Sequence, residues 1–125
     1  MSIKLNVSKF PLVSANVVGY VTVNDLKNFL GELTNLFERK RKFKLVCNVK
    51  KMSGSVVSYG SEHINTLSSW MSDNDRQTKL YMEKTIILMQ NMVIKMILQI
   101  VFKIKKPNSE FHFVERPSQV RQFLK

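Results

Sequence analysis

The sequence predicts an α/β domain with a mixed, mostly parallel sheet of about five strands and about four helices, in the order β-β-α-β-α-β-α-β-α. Three observations carry this reading. Short apolar runs alternate with longer stretches of helical spacing, the arrangement that builds βαβ units. The first two strand-like segments have no helix between them, so an antiparallel hairpin is expected at one edge of the sheet. No repeat, linker or low-complexity stretch divides the 125 residues, so a single domain over 1–125 is expected.

Ile3–Val7 is the first strand. In Leu12–Val18, Val13, Ala15 and Val17 alternate with Ser14 and Asn16, as in a half-buried strand. Pro11 stands at its start, where a missing N–H costs least, and Gly19 punctuates the turn. Thr22 begins a helix, with Asp25 three residues later as an approximate capping box. Leu26, Phe29, Leu30, Leu33, Leu36 and Phe37 share one helical face. Arg39-Lys40-Arg41-Lys42 is expected to close the helix, where cations complement its dipole.

Phe43–Val49 reads as a central parallel strand. Phe43, Leu45, Cys47 and Val49 lie on one side, and Val46 makes the other partly apolar. A long loop from Lys50 to about Gly60 follows. Ser61 is expected to cap the next helix, whose apolar positions are Ile64, Leu67, Trp70, Met71, Leu80 and Tyr81. The polar patch Ser72-Asp73-Asn74-Asp75 either breaks or kinks it. Thr85–Gln90 suits a second central strand, and Asn91 is expected to cap a helix running through Ile104.

The 20 residues from Thr85 to Ile104 have the length of a membrane span. Lys95, Gln99 and Lys103, however, recur every four residues, and Gln90-Asn91 interrupts the run. A buried strand followed by an amphipathic helix is the reading, with no transmembrane segment expected. Pro107-Asn108 makes a turn, Phe111–Glu115 a last strand with His112 directed outward, and Pro117 starts a final helix carrying Val120, Phe123 and Leu124.

Twenty basic and nine acidic residues give a net charge of +11, a balance that suits nucleic acid, acidic proteins or anionic membranes. Lysine outnumbers arginine 15 to 5, a bias that AT-rich codon use also produces. Arg39, Lys40, Arg41, Lys42, Lys44, Lys50 and Lys51 form a stretch without acidic residues, the candidate polyanion-binding surface. A nucleic-acid partner is the alternative expectation. With no recognition motif or clustered aromatics, such binding would be sequence-tolerant and salt-sensitive. A lone cysteine excludes an intrachain disulfide, and the N-terminal stretch lacks the apolar run of a signal peptide. Both point to the cytoplasm or another reducing intracellular compartment.

Catalytic chemistry is not expected. Two histidines and one cysteine do not make a structural zinc site, and no triad or carboxylate pair is evident. Cys47, mid-strand, is expected to be an inert core thiol. Gly54–Gly60 lacks the Lys-Ser/Thr of a phosphate loop and reads as a flexible loop. Open α/β sheets bind ligands at the C-terminal ends of their strands. Lys50, Ser53, Ser55 and the start of the next helix would therefore line any small-molecule site. No cofactor and no metal are expected.

Several segments together resemble STAS domains, in particular the SpoIIAA-like branch related to anti-sigma-factor antagonists. They are FPLV at Phe10–Val13, GYVTVNDLKNFL around Thr22, FKLVCNVKKM at Phe43–Met52, HINTLSSWM, TIILMQNMVIKMIL at Thr85–Leu98 and the closing EFHFVERPSQVRQFL. The resemblance covers roughly Phe10 to Lys125 and implies a small mixed-sheet domain that works by binding another protein. It also implies a phosphorylatable serine at the start of the helix after Phe43–Val49. The branch's usual Asp at the strand end is Asn48 here, and its Asp-Ser pair is absent. Ser53, Ser55, Ser58 and Ser61 are the loop's candidates for phosphorylation or ligand binding. The expected function is a non-enzymatic protein–protein interaction module, docking a protein partner or forming a homo-oligomer. Met92, Met96 and Ile100, on a wide apolar helix face, are the expected contact surface.

Overall fold

A computed structural model describes residues 2–124. The elements run β1 (Ile3–Asn6), β2 (Leu12–Gly19), α1 (Val23–Phe37), β3 (Phe43–Met52), α2 (Ser61–Asp73), α3 (Asp75–Tyr81), β4 (Met82–Leu88), α4 (Val93–Ile104), β5 (Glu110–Val114) and α5 (Pro117–Leu124). The strands form one sheet in the order β1-β2-β3-β4-β5. β1 pairs antiparallel with β2 (Ile3 opposite Val17), and the other three pairings are parallel. The expected mixed sheet with an antiparallel edge is therefore present, with five helices instead of about four.

Crossovers of the usual right hand place their helices on a face set by the direction of strand order. This order never reverses, so the crossover helices pack on one face of the sheet. That layer buries Val13, Ala15, Val17, Leu45, Cys47 and Ile87 beneath Leu30, Leu33 and Phe37 of α1 and Ile97 and Leu98 of α4. The other face is covered over β4 and β5 by α5, where Val120 packs with Ile86, Leu88 and Val114. Both faces of β4 are thus apolar, and its residues Thr85 to Leu88 are all buried. Lys44 and Lys84 rise from this second face to the end of α5, their Nζ atoms 3.5 Å from the Leu124 carbonyl oxygen and 3.3 Å from that of Phe123. Cations there complement the negative end of the helix dipole.

The α1 start is as the sequence predicts. Thr22 Oγ1 accepts the Asp25 N–H at 3.0 Å, and Asp25 Oδ2 accepts the Thr22 N–H at 3.2 Å, closing the capping box. Other boundaries differ. α1 stops at Phe37 with Glu38 as its C-cap, so the basic run lies beyond the helix. Its carbonyls are closed by backbone N–H groups, Lys40 to Phe37 among them, with Lys40 at φ +52°. The Ser72–Asp75 patch breaks the helix: Asn74 turns between α2 and α3 at φ −115° and ψ 23°. Gly60, not Ser61, is the N-cap of α2; the backbone is already helical at Ser61. Asn91 stands one position ahead of the α4 N-cap, yet its Oδ1 accepts the Val93 N–H at 3.0 Å. His112 is not directed to solvent: its ring stacks on Phe123 of α5 with centroids 4.0 Å apart.

Between the sheet and α1, α2 and α4 lies an apolar cavity of about 170 Å³.

Candidate functional site

Three places were singled out by the sequence: the β3–α2 loop, the outer face of α4 and the basic stretch Arg39–Lys51. The loop begins at Ser53, because β3 extends to Met52, and it is braced where flexibility was expected. Tyr59 is buried in it. Its hydroxyl donates to the Ser53 carbonyl at 2.6 Å and accepts the Val21 N–H at 3.0 Å, tying the loop to the segment between β2 and α1. Tyr20 stacks on Tyr59 with centroids 4.8 Å apart and donates its hydroxyl to the Ser58 carbonyl at 2.7 Å. His63 sits edge-on to both rings, and its Nε2–H donates to the Val21 carbonyl at 2.8 Å. Burial pushes the Tyr59 phenol up from its ordinary pKa, with the Val21 N–H acting in the opposite direction.

The glycine of this loop is fixed by geometry. Gly54 has φ +109°, and a Cβ there would stand 2.7 Å from the Tyr59 ring and 2.9 Å from Ser58 Oγ. Ser55 and Ser58 bond each other: Ser58 Oγ donates to the Ser55 carbonyl at 2.8 Å and accepts the Ser55 N–H at 2.9 Å. Ser53 is exposed, and Ser61 lies exposed on the first turn of α2. The four serines thus share one end of the sheet, two of them engaged with each other. Strand order has no reversal point there, which is what opens the ligand crevice in doubly wound sheets.

α4 is the second place. Met92, Met96, Ile100 and Ile104 are 49%, 48%, 38% and 61% exposed. Spaced four apart, they form one stripe along the outward side of the helix. The opposite side buries Ile97, Leu98 and Val101. Of the four lysines between Thr85 and Ser109, Lys103 and Lys106 are exposed near the end of the stripe, while Lys95 lies over the Phe113 ring at 5.7 Å. Lys105 reaches Asp75 at 2.7 Å, and this bond holds the Asp75 carboxyl below the ordinary carboxylate pKa. The sequence placed Met92, Met96 and Ile100 together; Ile104 completes their line.

The seven basic residues of the Arg39–Lys51 stretch occupy two ends of the sheet. Arg39, Lys40, Arg41 and Lys42 lie in the α1–β3 turn, with Arg39 and Arg41 over the Phe10 ring at 4.5 and 5.5 Å. Lys44 follows on β3 and pairs with Glu83 at 3.7 Å. Lys50 and Lys51 are at the far end of the same ten-residue strand, roughly 20 Å away at ~3.3 Å per residue. Cys47 is buried in β3, and desolvation raises its thiol pKa to about 12. Among the described residues no three His, Cys, Asp or Glu side chains gather as a metal site would require. No helix there is long and apolar enough to cross a membrane.

The order of strands and the single-sided helix layer place this chain in a class, the small α/β domains of SpoIIAA-like fold. No family profile and no curated protein matches the sequence. Among solved structures, it is similar to an uncharacterised protein of the DUF3478 family with a SpoIIAA-like fold from Shewanella loihica PV-4. The TM-score is 0.65 at 12% identity, over 98% of this chain and 92% of that one. It is also similar to an anti-sigma factor antagonist from Mycobacterium paratuberculosis, with a TM-score of 0.60 at 10% identity, over 98% of this chain and 93% of that one. The fold is the STAS/SpoIIAA-like fold.

Proposed function

We propose that this chain is a non-enzymatic interaction module that docks a separate protein on the outward face of α4. The observation that carries the reading is the exposed stripe Met92, Met96, Ile100 and Ile104. Four large apolar side chains aligned on one helix leave apolar area in water that a partner's apolar surface would cover. Methionine suits such a surface, being flexible and polarisable. The anti-sigma factor antagonist among the solved structures supports a protein-binding role for this fold. The exposed Lys103 and Lys106 near the end of the stripe favour a partner with acidic residues flanking its apolar patch, whereas two copies of this face would set like charges against each other. A reducing intracellular compartment fits the free thiol of Cys47.

His63 is held edge-on against Tyr59 and His112 stacks on Phe123, contacts that support structural roles for them. The test is affinity capture from native extract, followed by reconstitution with the purified captured protein. Met96→Glu is expected to weaken the reconstituted complex about 30-fold, as for a central hot-spot position. Added salt should weaken the wild-type complex further. A complex unchanged by Met96→Glu would overturn the reading. So would light scattering that finds a stable homodimer abolished by the same substitution.

A further inference from the structure

We infer that the cavity between the sheet and α1, α2 and α4 is a binding site for a small, uncharged, apolar molecule of about benzene size. The space is about 170 Å³, lined by side chains such as Leu30, Leu45, Cys47, Leu67 and Ile97. Protein interiors pack like organic crystals, and voids larger than a water are few. An apolar void of roughly 150 Å³ stays dry and takes up benzene or xenon. This one is of that size and as apolar, and it is partly open.

The polar groups at its wall define the ligand further. The Tyr59 hydroxyl and His63 Nε2 are committed to Val21 and Ser53. Thr85 also lines the space, and its buried hydroxyl has no hydrogen-bond partner. A resident water needs two to four polar partners, which this wall does not offer. No charged side chain lines the space, so an ionised ligand would lose its hydration without compensation.

Access is given by the way α2 is tied down. Its side-chain bonds to the rest of the fold run to the α1 side: His63 to the Val21 carbonyl, and Trp70 Nε1–H to Thr34 Oγ1 at 3.0 Å. Among the described residues, no side-chain hydrogen bond joins α2 to α4. The seam between these two helices is therefore the route that opens at least cost, with the β3–α2 loop and the Asn74 break at the ends of α2.

The experiment uses the full chain with benzene, sodium benzoate as its charged counterpart, and xenon gas. Benzene at ten times its Kd should raise Tm by about 5 °C. It should move the methyl signals of Leu67 and Ile97, and benzoate should do neither. Cys47→Leu adds two carbon-sized atoms to the wall and should reduce benzene affinity at least tenfold. Should that variant not fold, xenon on the wild type must move the same Leu67 and Ile97 methyls. The inference is overturned if benzene and xenon leave those signals in place, if benzoate matches benzene, or if the shifts fall on the exposed Met92 and Met96 methyls instead.

Discussion

Tyr59→Phe removes a single oxygen from the centre of the β3–α2 loop and leaves its packing intact. The ring stays stacked on Tyr20 and edge-on to His63. What is lost is a pair of hydrogen bonds, from the Val21 N–H at 3.0 Å and to the Ser53 carbonyl at 2.6 Å. Ser53 is exposed, so water replaces the lost donor at little cost. Val21 is 7% exposed, and its N–H is left buried without a partner. Such a group costs ~1–3 kcal/mol, and we expect the substitution to remove about 2 kcal/mol of stability. At the usual unfolding entropy this lowers Tm by roughly 7 °C. Urea unfolding followed by the fluorescence of Trp70 gives the free energy, and hydrogen exchange at Val21 gives its cause. A loss below about 0.5 kcal/mol, with the Val21 amide as protected as before, would refute the reasoning.

Further perturbations test the two positive-φ glycines and the core thiol. Gly54→Ala puts a Cβ 2.7 Å from the Tyr59 ring at φ +109°, so it should cost about 2 kcal/mol or more in thermal melts. Gly19→Ala, at φ +77° with open space around it, should cost less. The thiol of Cys47, pushed up to about 12, should resist a disulfide reagent at pH 8 and react only as fast as the protein opens. The same shift sets an alkaline limit. Above about pH 9 the unfolded chain releases a proton that the folded chain retains, so stability falls with pH at up to ~1.4 kcal/mol per unit. Cys47→Ala should flatten that limb of the pH–stability profile.

Local periodicity and capping chemistry made much of the fold legible in the sequence. The α1 capping box and its apolar spacing lie within a few residues of one another, and so do the alternation of Phe43–Val49 and the four-residue rhythm of Met92, Met96 and Ile100. Long-range partners decided what was not legible. Glu83 and Lys84 hide the start of β4, and Lys84 is tolerated because α5, 39 residues on, offers it a carbonyl. His112 follows a strand alternation that points it away from the helix layer, but α5 covers that face as well. The Tyr20–Tyr59–His63 cluster joins residues about 40 apart, and its only local sign was a tyrosine beside Gly60 in an otherwise polar loop. Ser61 had a cap residue's chemistry, but Gly60 already occupies the extended backbone position that precedes the helix. The Arg39–Lys51 charges looked like one patch only while the strand between them was unmeasured.

Methionine oxidation measures the α4 face directly, because the chain carries its own internal controls. Met71, Met82 and Met89 are at most 9% exposed, whereas Met92 and Met96 are about half exposed. Under dilute peroxide the free protein should form sulfoxides at Met92 and Met96 well before those three. With a purified partner bound, both sites should be protected while the half-buried Met52, which lies on another element, oxidises as before. Equal oxidation of Met92 and Met96 in the free and bound protein would contradict a docking role for α4.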